Sequence, residues 1–337
     1  MKILHIGKQG NLQRFAAADG FLNSLDLVDL KPDLPVEEYL SQAGDVDFIV
    51  ADAIAAVPGA LIRQMPNLLA IHSEGVAFNA IDLEAADECG VYVCNAQGMN
   101  AMAVAEQTIL LMVGMLRNVV VNDAAVRAGH QIEAKGAYIQ NANLLELADC
   151  SVGLIGFGDI ARQTARLLKA YQVKNIYYYK RHRLDPAQEQ QYGVQYRELD
   201  DLLAQSRIVS LHLPVTKATR HMADQTFFAK MQPGSYLVNT ARGELVDDAA
   251  LIEVLKSGHL AMAGLDTLDH EPVLKDHPLL NQPRSIASRL LLSPHIGGIT
   301  AASFYRGYAM IDEDLWLAAQ GQEPKRVVNH PQIPKAD

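Results

Sequence analysis

Between residues 151 and 266, short apolar runs alternate with helical patterns, and this alternation constrains the fold more than any other feature. The apolar runs that predict strands are SVGLI at 151–155, IYYY at 176–179, RIVSLHL at 207–213, SYLVNT at 235–240 and LAMAGLD at 260–266. One predicted helix ends near Tyr171, and another covers 247–257 before Gly258. Such alternation is typical of an α/β fold with a mostly parallel, doubly wound sheet.

The residues before this region predict a second, smaller α/β unit. Its predicted strands are at 2–7, 46–51, 68–72 and 90–94, and its predicted helices are at 60–64 and 83–89. A long helix pattern from Ala101 to Val121 is apolar on more than one face, so we expect it to join two domains or to line a subunit interface. A terminal helix is expected from about Ala301 to Gln320.

Composition limits the classes of function. The 337 residues carry a formal charge of −10, which argues against a nucleic-acid partner. The longest apolar run, 108–116, is shorter than the ~18 to 20 residues that a bilayer requires, and the N-terminal apolar stretch is too short for a signal peptide. We therefore expect a soluble chain with no membrane partner.

Cysteine usage favours a reducing compartment. The sequence has three cysteines, Cys89, Cys94 and Cys150, which are too few for a disulfide framework. Cys89 and Cys94 have no second pair with which to form a metal site, so we expect them to be packed residues and expect no metal. The predicted location is the cytoplasm.

A glycine-rich turn follows the first strand of the alternating region. An apolar strand pattern leads into GFGDIA at 156–161, and an amphipathic helix pattern follows. Gly156 allows a tight turn, Gly158 lets the backbone approach a pyrophosphate, and Ala161 permits close packing of the helix on the strand. An ordinary strand-to-helix turn is the alternative, but the flanking pattern favours a dinucleotide site.

The residues after the next strand predict which nicotinamide cofactor binds. A carboxylate about 20 residues beyond the glycine turn would bind the ribose 2′-OH of NAD. No carboxylate occurs from 175 to 184, and the strand instead leads into Lys180, Arg181 and Arg183. Three fixed positive charges would suit a 2′-phosphate, so we expect NADP to be preferred, with NAD possible. The alternative is a solvated basic loop.

Residues suited to hydride-transfer chemistry follow the ends of several predicted strands. All strands of an open parallel sheet end at one edge, where ligands bind, so Arg242, Glu271 and His295 are expected to converge there. These types suit reduction of a 2-oxo acid. The arginine would bind the carboxylate as a planar fork, the histidine would protonate the forming alkoxide, and the glutamate would orient and charge the imidazole.

Several stretches resemble signatures of the D-isomer-specific 2-hydroxyacid dehydrogenase family. In the second half they are TARGELVD at 240–247, AGLD to EP at 263–272, HPL at 277–279 and SPHIGG at 293–298. In the first half, HSEGVAFNAIDLEAADECGVYVCNAQG at 72–98 resembles the segment with the family's substrate-binding loop, and VAEQTILLM at 104–112 resembles its interdomain helix. The matching stretches span nearly the whole chain in family order.

The resemblance implies two Rossmann-like or flavodoxin-like domains with doubly wound parallel sheets and the active site in the interdomain cleft. A substrate-binding domain would comprise residues 1–98 plus 294–337, and a dinucleotide-binding domain would comprise residues 99–293. The resemblance also implies a homodimer formed through the cofactor domains.

The resemblance further implies roles for individual residues. Arg242 would bind the substrate carboxylate and carbonyl, Glu271 would pair with the imidazole, and His295 would be the acid/base. The amides of Gly75 and Val76 would also bind the carboxylate. The residues expected at the cofactor are Gly156, Gly158, Asp159, Ile160, Tyr179, Lys180, Arg181, Leu213, Pro214, Thr240, Ala241, Arg242, Asp266 near the nicotinamide end, His295, Gly297 and Gly298.

Two features depart from the family pattern. The acidic residue after the second strand is missing, which resembles the NADP-using glyoxylate and hydroxypyruvate reductases, and LADC at 147–150 lacks the usual Gly-Lys. We expect an NADPH-preferring reductase that converts a small 2-oxo acid to a D-2-hydroxy acid. The alternatives are NAD-dependent oxidation of a larger or phosphorylated D-2-hydroxy acid, and a non-catalytic, cofactor-sensing binding protein.

Overall fold

The computed structural model describes residues 1–331, which divide into a smaller unit (1–100 and 299–331) and a larger unit (101–298). The predicted boundaries, 98/99 and 293/294, differ from these. At the second boundary, the turn after residue 293 is hydrogen-bonded to Asp266 of the larger unit, through the amides of Ile296 (3.1 Å) and Gly297 (2.8 Å). His295 therefore belongs to the larger unit.

The smaller unit is built on a parallel sheet. Its strands are β1 (Lys2–Ile6), β2 (Asp26–Leu30), β3 (Phe48–Ala51), β4 (Ala70–Ser73) and β5 (Tyr92–Cys94). They are arranged in the order β2-β1-β3-β4-β5, and every neighbouring pair is parallel. The sequence analysis misses β2 because Asp26 and Asp29 interrupt its apolar pattern.

Helices cover the two faces of the smaller sheet. They are α1 (Asn11–Phe15), α2 (Val36–Ala43), α3 (Gly59–Ile62), α4 (Leu83–Glu88) and the C-terminal α14 (Ala301–Ala319). Tyr308, Ile311 and Leu315 of α14 are buried in a cluster with residues of β1 and β3. The C-terminal helix therefore belongs to the core of the first unit.

The larger unit is built on a second parallel sheet. Its strands are β6 (Ser151–Ile155), β7 (Asn175–Tyr179), β8 (Gln195–Tyr196), β9 (Ile208–Leu211), β10 (Ser235–Asn239), β11 (Leu260–Leu265) and β12 (Leu290–Leu292). Their order is β12-β11-β10-β9-β6-β7-β8, and every neighbouring pair is parallel. The predicted α/β class, with two doubly wound parallel sheets, is confirmed.

The larger unit also contains the helices α5 (Ala101–Leu116), α6 (Val119–Arg127), α7 (Gln131–Asn141), α8 (Asp159–Ala170), α9 (Pro186–Tyr192), α10 (Leu199–Gln205), α11 (Gln225–Lys230), α12 (Asp248–Ser257) and α13 (Arg284–Ala287). Helices such as α5, α10 and α12 pack on the sheet, whereas α6 and α7 bury no residue. The prediction of one helix from Ala101 to Val121 is wrong, because Asn118 adopts a left-handed φ of +48° and separates α5 from α6. Asparagine tolerates this conformation better than most residues.

The topology fixes where a ligand can bind in the larger unit. Strand β6 pairs with β7 on one side and with β9 on the other, so the chain reverses direction across the sheet there. The crevice beyond the carboxyl ends of such strands is the usual ligand site of an open α/β sheet. Among residues 1–331, no single helix is long and apolar enough to cross a bilayer. Helices α5 and α6, which meet at a bend of 58°, reach that length and apolar composition only when they are taken together.

Candidate active site

The glycine turn lies between β6 and α8 at the switch point. Gly156 has a φ of +89°, and a Cβ atom there would lie 2.3 Å from the carbonyl oxygen of His212, so no other residue fits without displacing backbone. Its amide donates to the carbonyl oxygen of Tyr179 (2.8 Å), which joins the turn to the end of β7. The predicted role of Gly156 in a tight turn agrees with this geometry.

Gly158 and the start of α8 form a cradle that fits a dinucleotide. A Cβ atom on Gly158 would have no protein atom within 4 Å, so the space beside this backbone is open to a ligand. Gly158 is the N-cap of α8 and makes no side-chain capping hydrogen bond, and Asp159 and Ile160 form the first helical turn. Ala161 is fully buried. The amide groups of such a helix end attract a pyrophosphate.

The basic loop after β7 only partly matches its prediction. Within residues 1–331, neither Lys180 nor Arg181 makes a hydrogen bond or an ion pair, and Arg181 is exposed. Arg183, by contrast, pairs with Glu189 of α9 through two hydrogen bonds of 2.8 and 2.9 Å. The expectation of three positive charges for a 2′-phosphate is therefore corrected to two, because Glu189 neutralises the third.

Glu189 also organises the base of this loop. It accepts a hydrogen bond from the hydroxyl of Tyr178 (2.7 Å), which in turn accepts one from the amide of Leu184 (2.9 Å). Burial, followed by the contact with Glu189, raises the pKa of Tyr178 to about 12, so this tyrosine is a neutral donor. Tyr179, the next residue, is only half-buried and stays at the rim of the strand end.

The segment after β9 closes one side of the glycine turn. Leu213 places a methyl group 3.0 Å from the position of a Cβ on Gly156, and Pro214 follows it as an exposed residue. Burial lowers the pKa of the preceding His212 to about 4, so its imidazole is neutral at pH 7. Leu213 and Pro214 therefore lie beside the turn, as the strand-end argument predicts.

Arg242 lies just beyond the end of β10 with its guanidinium exposed. Asn239 holds the backbone of this turn, because its amide group donates to the carbonyl of Arg242 (2.7 Å) and its side-chain oxygen accepts from the amide of Ala241 (3.0 Å). The side chain of Arg242 donates to the carbonyl of Ala241 (2.7 Å), and no carboxylate among the described residues pairs with it. Thr240 is buried, and its hydroxyl bonds to that of Thr108 on α5 (2.9 Å).

His295 and Glu271 form a hydrogen-bonded pair at the same edge. Nδ1 of His295 lies 2.6 Å from Oε2 of Glu271, and Oε1 of Glu271 accepts from the amide of Leu268 (3.1 Å). Within residues 1–331 the other ring nitrogen of His295 has no hydrogen-bond partner, and the side chain is 46% exposed. One nitrogen is thus held by a carboxylate while the other faces outward, the arrangement that a general acid requires.

Gly243 joins the loop of Arg242 to the loop of Glu271. A Cβ on Gly243 would lie 1.8 Å from the carbonyl carbon of Leu268 and 2.2 Å from the amide nitrogen of Asp269, so the two backbones touch here. Asp269 is also hydrogen-bonded to His221 (3.0 Å). Burial would raise the pKa of Asp269, but hydrogen bonds from His221 and from the following amide hold it below its usual range.

Asp266 anchors the turn that carries His295. Its carboxylate accepts from the hydroxyl of Ser293 (2.5 Å) and from the amides of Ile296 and Gly297, and its carbonyl accepts from the amide of His295 (2.8 Å). A Cβ on Gly297 would lie 2.8 Å from this carboxylate. Gly298 follows as a half-buried residue. These contacts show that Asp266 positions the turn that carries His295. The sequence analysis does not predict this role.

The predicted carboxylate-binding loop belongs to the smaller unit and follows β4. The hydroxyl of Ser73 donates to the carbonyl of Ala77 (2.6 Å), and the side chain of Asn95 donates to the carbonyl of Val76 (2.7 Å). The amide of Gly75 already donates to Ser73 (3.3 Å), whereas the amide of Val76 has no acceptor among the described residues. Of the two predicted donors, Val76 is therefore the one whose N–H is open.

Comparison with known proteins identifies the family. The family model for the D-isomer specific 2-hydroxyacid dehydrogenase, NAD binding domain, matches residues 109–297. A glyoxylate reductase from Aeropyrum pernix is 33% identical over 296 residues, covering 88% of this chain and 86% of its own length. The chain belongs to the D-isomer-specific 2-hydroxyacid dehydrogenase family.

Other relatives agree with this assignment. A D-3-phosphoglycerate dehydrogenase from Archaeoglobus fulgidus is 32% identical over 314 residues, covering 92% of this chain but 56% of its own length. The crystal structure of a glyoxylate reductase from Paecilomyes thermophila superposes with a TM-score of 0.75 at 29% identity, covering 97% of this chain and 98% of the other. The resemblance seen in the motifs is confirmed, and the chain is an NAD(P)-dependent oxidoreductase of the 2-hydroxyacid dehydrogenase family.

Several residues that position this 2-hydroxyacid dehydrogenase site are not found by sequence reasoning. Gln107 donates to Ser293 (2.8 Å), and Thr108 bonds to Thr240, so α5 supports two of the strand-end loops. Both residues lie within the VAEQTILLM stretch, which the sequence analysis used only to identify a helix. Their polarity inside a largely apolar helix is the signal that could have revealed them.

Proposed function

We propose that this chain reduces a small 2-oxo acid to the D-2-hydroxy acid, with NADPH preferred over NADH. The observation that carries the proposal is the meeting of three features at one edge of the larger sheet. These are the open glycine cradle at Gly158, the exposed guanidinium of Arg242, and the outward-facing imidazole of His295 held by Glu271. A pure binding protein has no need of such a proton donor.

The proposed catalytic steps use the three side chains differently. Arg242 binds the substrate carboxylate and carbonyl, because its planar fork matches a carboxylate and no protein carboxylate among residues 1–331 competes for it. His295 donates a proton to the forming alkoxide from the ring nitrogen that faces outward. Glu271 orients the ring through its 2.6 Å contact with Nδ1 of His295. The amide of Val76 is the proposed second donor to the substrate carboxylate.

The cofactor fits the larger unit, where the family's NAD binding domain matches. Its pyrophosphate would lie against the Gly156–Gly158 turn and the first turn of α8, with Leu213 and Pro214 along one side. When bound, the nicotinamide supplies the hydride. The remaining proposed contacts come from the strand-end residues Thr240, Ala241, Asp266, Gly297 and Gly298. Asp266 acts through the backbone that it holds, and Thr240 is fixed to α5 through the hydroxyl of Thr108.

The preference for NADPH rests on Lys180 and Arg181. Both follow β7 directly, beside the glycine turn, and neither is paired within the described residues. Replacing both with glutamine should raise KM for NADPH at least about tenfold and leave KM for NADH nearly unchanged. Arg183→Gln is the matched control, because Glu189 already neutralises Arg183, so this change should affect both cofactors alike. An equal rise in KM for NADPH and for NADH in the double variant would contradict the proposed preference for NADPH.

Substrate class is tested by comparing specificity constants for glyoxylate, hydroxypyruvate, pyruvate, a branched 2-oxo acid and phenylpyruvate with each cofactor. We expect turnover with a small oxo acid and NADPH. The relative from Archaeoglobus fulgidus makes oxidation of a phosphorylated D-2-hydroxy acid with NAD the second candidate, and 3-phosphoglycerate with NAD⁺ tests it. Cofactor binding without turnover of any of these would favour a cofactor-sensing protein.

We also propose that the protein is a homodimer in the cytoplasm. Helices α6 and α7 have no buried residue, and apolar side chains stand exposed along α5, α6 and α7, namely Leu110, Val119, Val120, Val126, Ile132 and Ile139. A second copy of the chain is the proposed cover for this apolar surface. The three unpaired cysteines favour a reducing compartment, which fractionation of cells that produce the protein would test.

A further inference from the structure

A buried network of ionisable groups lies under the loop that follows β4, and the catalytic steps do not use it. His5 of β1 is fully buried between two carboxyl groups: its Nδ1 lies 2.6 Å from Asp29 of β2, and its Nε2 lies 3.0 Å from Glu74. Tyr308 of α14, also buried, donates its hydroxyl to the same oxygen of Glu74. Burying this many polar groups is costly unless each is paired.

Glu74 is part of the proposed carboxylate-binding loop. It directly precedes Gly75 and Val76, its amide donates to the carbonyl of Ala51 (2.7 Å), and the residue is only 6% exposed. Helix α14 also lies beside this backbone, since a Cβ on Gly307 would lie 3.7 Å from the carbonyl oxygen of Glu74. The position of the loop is therefore coupled to the partners of the Glu74 side chain.

The charge of Glu74 is unfavourable for the proposed ligand. A substrate carboxylate bound to the amide of Val76 would lie within two residues of a second carboxylate, and like charges repel strongly where water is excluded. Tyr308 offers a neutral hydroxyl, because burial and the neighbouring Glu74 raise its pKa well above its ordinary value. Only His5 can supply a compensating positive charge from within this network.

We propose that His5 is a positioning residue that carries a positive charge, neutralises Glu74 and so allows the Ser73–Ala77 loop to bind a substrate carboxylate. This inference rests on the proposed function. Asp29 holds the other ring nitrogen of His5 and is itself tied to the amide of Gly10 (2.8 Å), so the imidazole bridges two fixed acceptors. His5 acts through Glu74 and has no role in the hydride or proton transfer.

The electrostatics of His5 agree with this role. Burial lowers the pKa of His5, but hydrogen bonds to Glu74 and Asp29 and the charges of both raise it overall. The ionisable groups around it are Asp29 on β2, Glu74 after β4, and Tyr308 on α14, which also feels the charge of Asp52 after β3. His5 therefore keeps its proton to a higher pH than an ordinary histidine, and substrate affinity is expected to fall as the pH rises through that value.

The test compares His5→Gln with the double variant H5Q/E74Q, using oxalate as a substrate mimic titrated into the NADPH complex. In H5Q the charge of Glu74 is unopposed, so Kd for oxalate and KM for glyoxylate should rise about tenfold while kcat and KM for NADPH stay nearly constant. In the double variant that charge is gone, and oxalate affinity should return close to that of the original protein. A double variant as weak as H5Q would overturn the proposal.

His72→Gln is the matched control. His72 is fully buried in the neighbouring strand β4, and its ring contacts Asp314 (3.2 Å) and the carbonyl of Ser73 (2.8 Å). This change therefore removes a buried imidazole at the base of the same loop without removing a partner of Glu74. We expect H72Q to lower stability but to leave oxalate affinity unchanged. An equal loss of affinity in H72Q and H5Q would indicate general loosening of the loop and would overturn the charge argument.

If H5Q fails to fold, Asp29→Asn provides a second measurement. Losing one of its two carboxylates should lower the pKa of His5, so the pH at which oxalate affinity falls should move down in D29N. An unchanged pH dependence in D29N contradicts the proposal. If the original protein neither binds oxalate nor oxidises NADPH with any oxo acid, the proposed function fails first, and this inference fails with it.

Discussion

At the scale of single residues, the backbone at His295 departs from ordinary geometry. His295 has a left-handed φ of +55°, and His270, beside Glu271, has +58°. Residues other than glycine rarely adopt such values, and they persist where surrounding contacts hold them. For His295 those contacts are the hydrogen bonds that the amides of the turn donate to Asp266, and the pairing with Glu271. The site thus places the ring at the cost of local strain.

The first prediction concerns this ring. His295→Asn keeps a side chain that tolerates the left-handed conformation but removes the proton donor, so kcat should fall by about 10² to 10⁴ while Kd for NADPH changes little. Steady-state kinetics and a cofactor titration measure the two effects. His270→Asn is the control, since it has the same backbone conformation and a largely exposed side chain. A loss of less than tenfold in H295N would rule out the acid/base role.

The sequence predicts the place of a residue when its position after a strand determines it. It does not predict contacts that depend on which distant side chain packs beside it. Arg242, Glu271 and His295 follow strand ends, so topology alone brings them to one edge. The pairing of Arg183 with Glu189 depends on how α9 packs on β7, which no local pattern encodes. The network of His5 and Glu74 joins residues 69 positions apart, and its partner on α14 is 234 positions from Glu74.

At the scale of elements, the two glycines of the turn differ in what surrounds them. A side chain at Gly156 meets the backbone of His212, whereas a side chain at Gly158 meets no protein atom. Gly156→Ala should therefore lower both stability and cofactor binding. Gly158→Ala should keep the thermal midpoint but weaken NADPH binding, because the methyl group occupies the space left for the pyrophosphate. Unchanged NADPH affinity in G158A would show that the ligand lies elsewhere.

Helix α14 is fixed to the smaller sheet through a buried carboxylate. Asp314 is fully buried and contacts His72 (3.2 Å), Arg326 (3.0 Å) and the amide of Lys325 (2.9 Å). Burial would raise its pKa, but these partners hold it below its usual range. The stabilisation is therefore complete at neutral pH and is lost as the pH falls through the lowered pKa.

This arrangement predicts that replacing two adjacent acidic residues changes the free energy of unfolding by very different amounts. Asp314→Ala leaves His72 and Arg326 without their buried partner, and should lower the free energy of unfolding by about 3 to 5 kcal/mol. Glu313→Ala removes surface pairs only, and should cost about 0 to 1 kcal/mol. Trp316, the one tryptophan in the sequence, lies on the same helix and reports unfolding of this unit in urea. A similar loss of unfolding free energy in both variants would contradict the structural role given to Asp314.

Elements were predictable to the extent that their apolar patterns were uninterrupted. Strand β6 matches its predicted bounds, and α14 ends one residue from its predicted end. Strands β2 and β8 were missed because acidic or polar residues fill their short spans, and α5 was extended too far because Asn118 ends it without a proline or glycine. Short edge strands and turns set by one side chain leave little trace in hydrophobic periodicity.

At the scale of the whole molecule, α6 and α7 expose apolar surface that one chain does not cover. Ile132 and Ile139 of α7 are 73% and 71% exposed, and Val120 of α6 is 58% exposed. Removing this apolar surface from water would favour association of two copies. We therefore predict that the protein sediments as two chains of 36.8 kDa, and that the variant I132K/I139K sediments as one.

A control separates association through α7 from a general effect of added charge. Ile54 is 86% exposed in the smaller unit, so Ile54→Lys adds charge at an equally open apolar site outside α5 to α7. We expect I54K to remain a dimer in sedimentation-velocity runs at the same concentration. A monomeric original protein, or dissociation in I54K as readily as in I132K/I139K, would contradict the assignment. Because α7 contributes no residue to the candidate site, the monomeric variant should keep its KM for NADPH, and only its stability should fall.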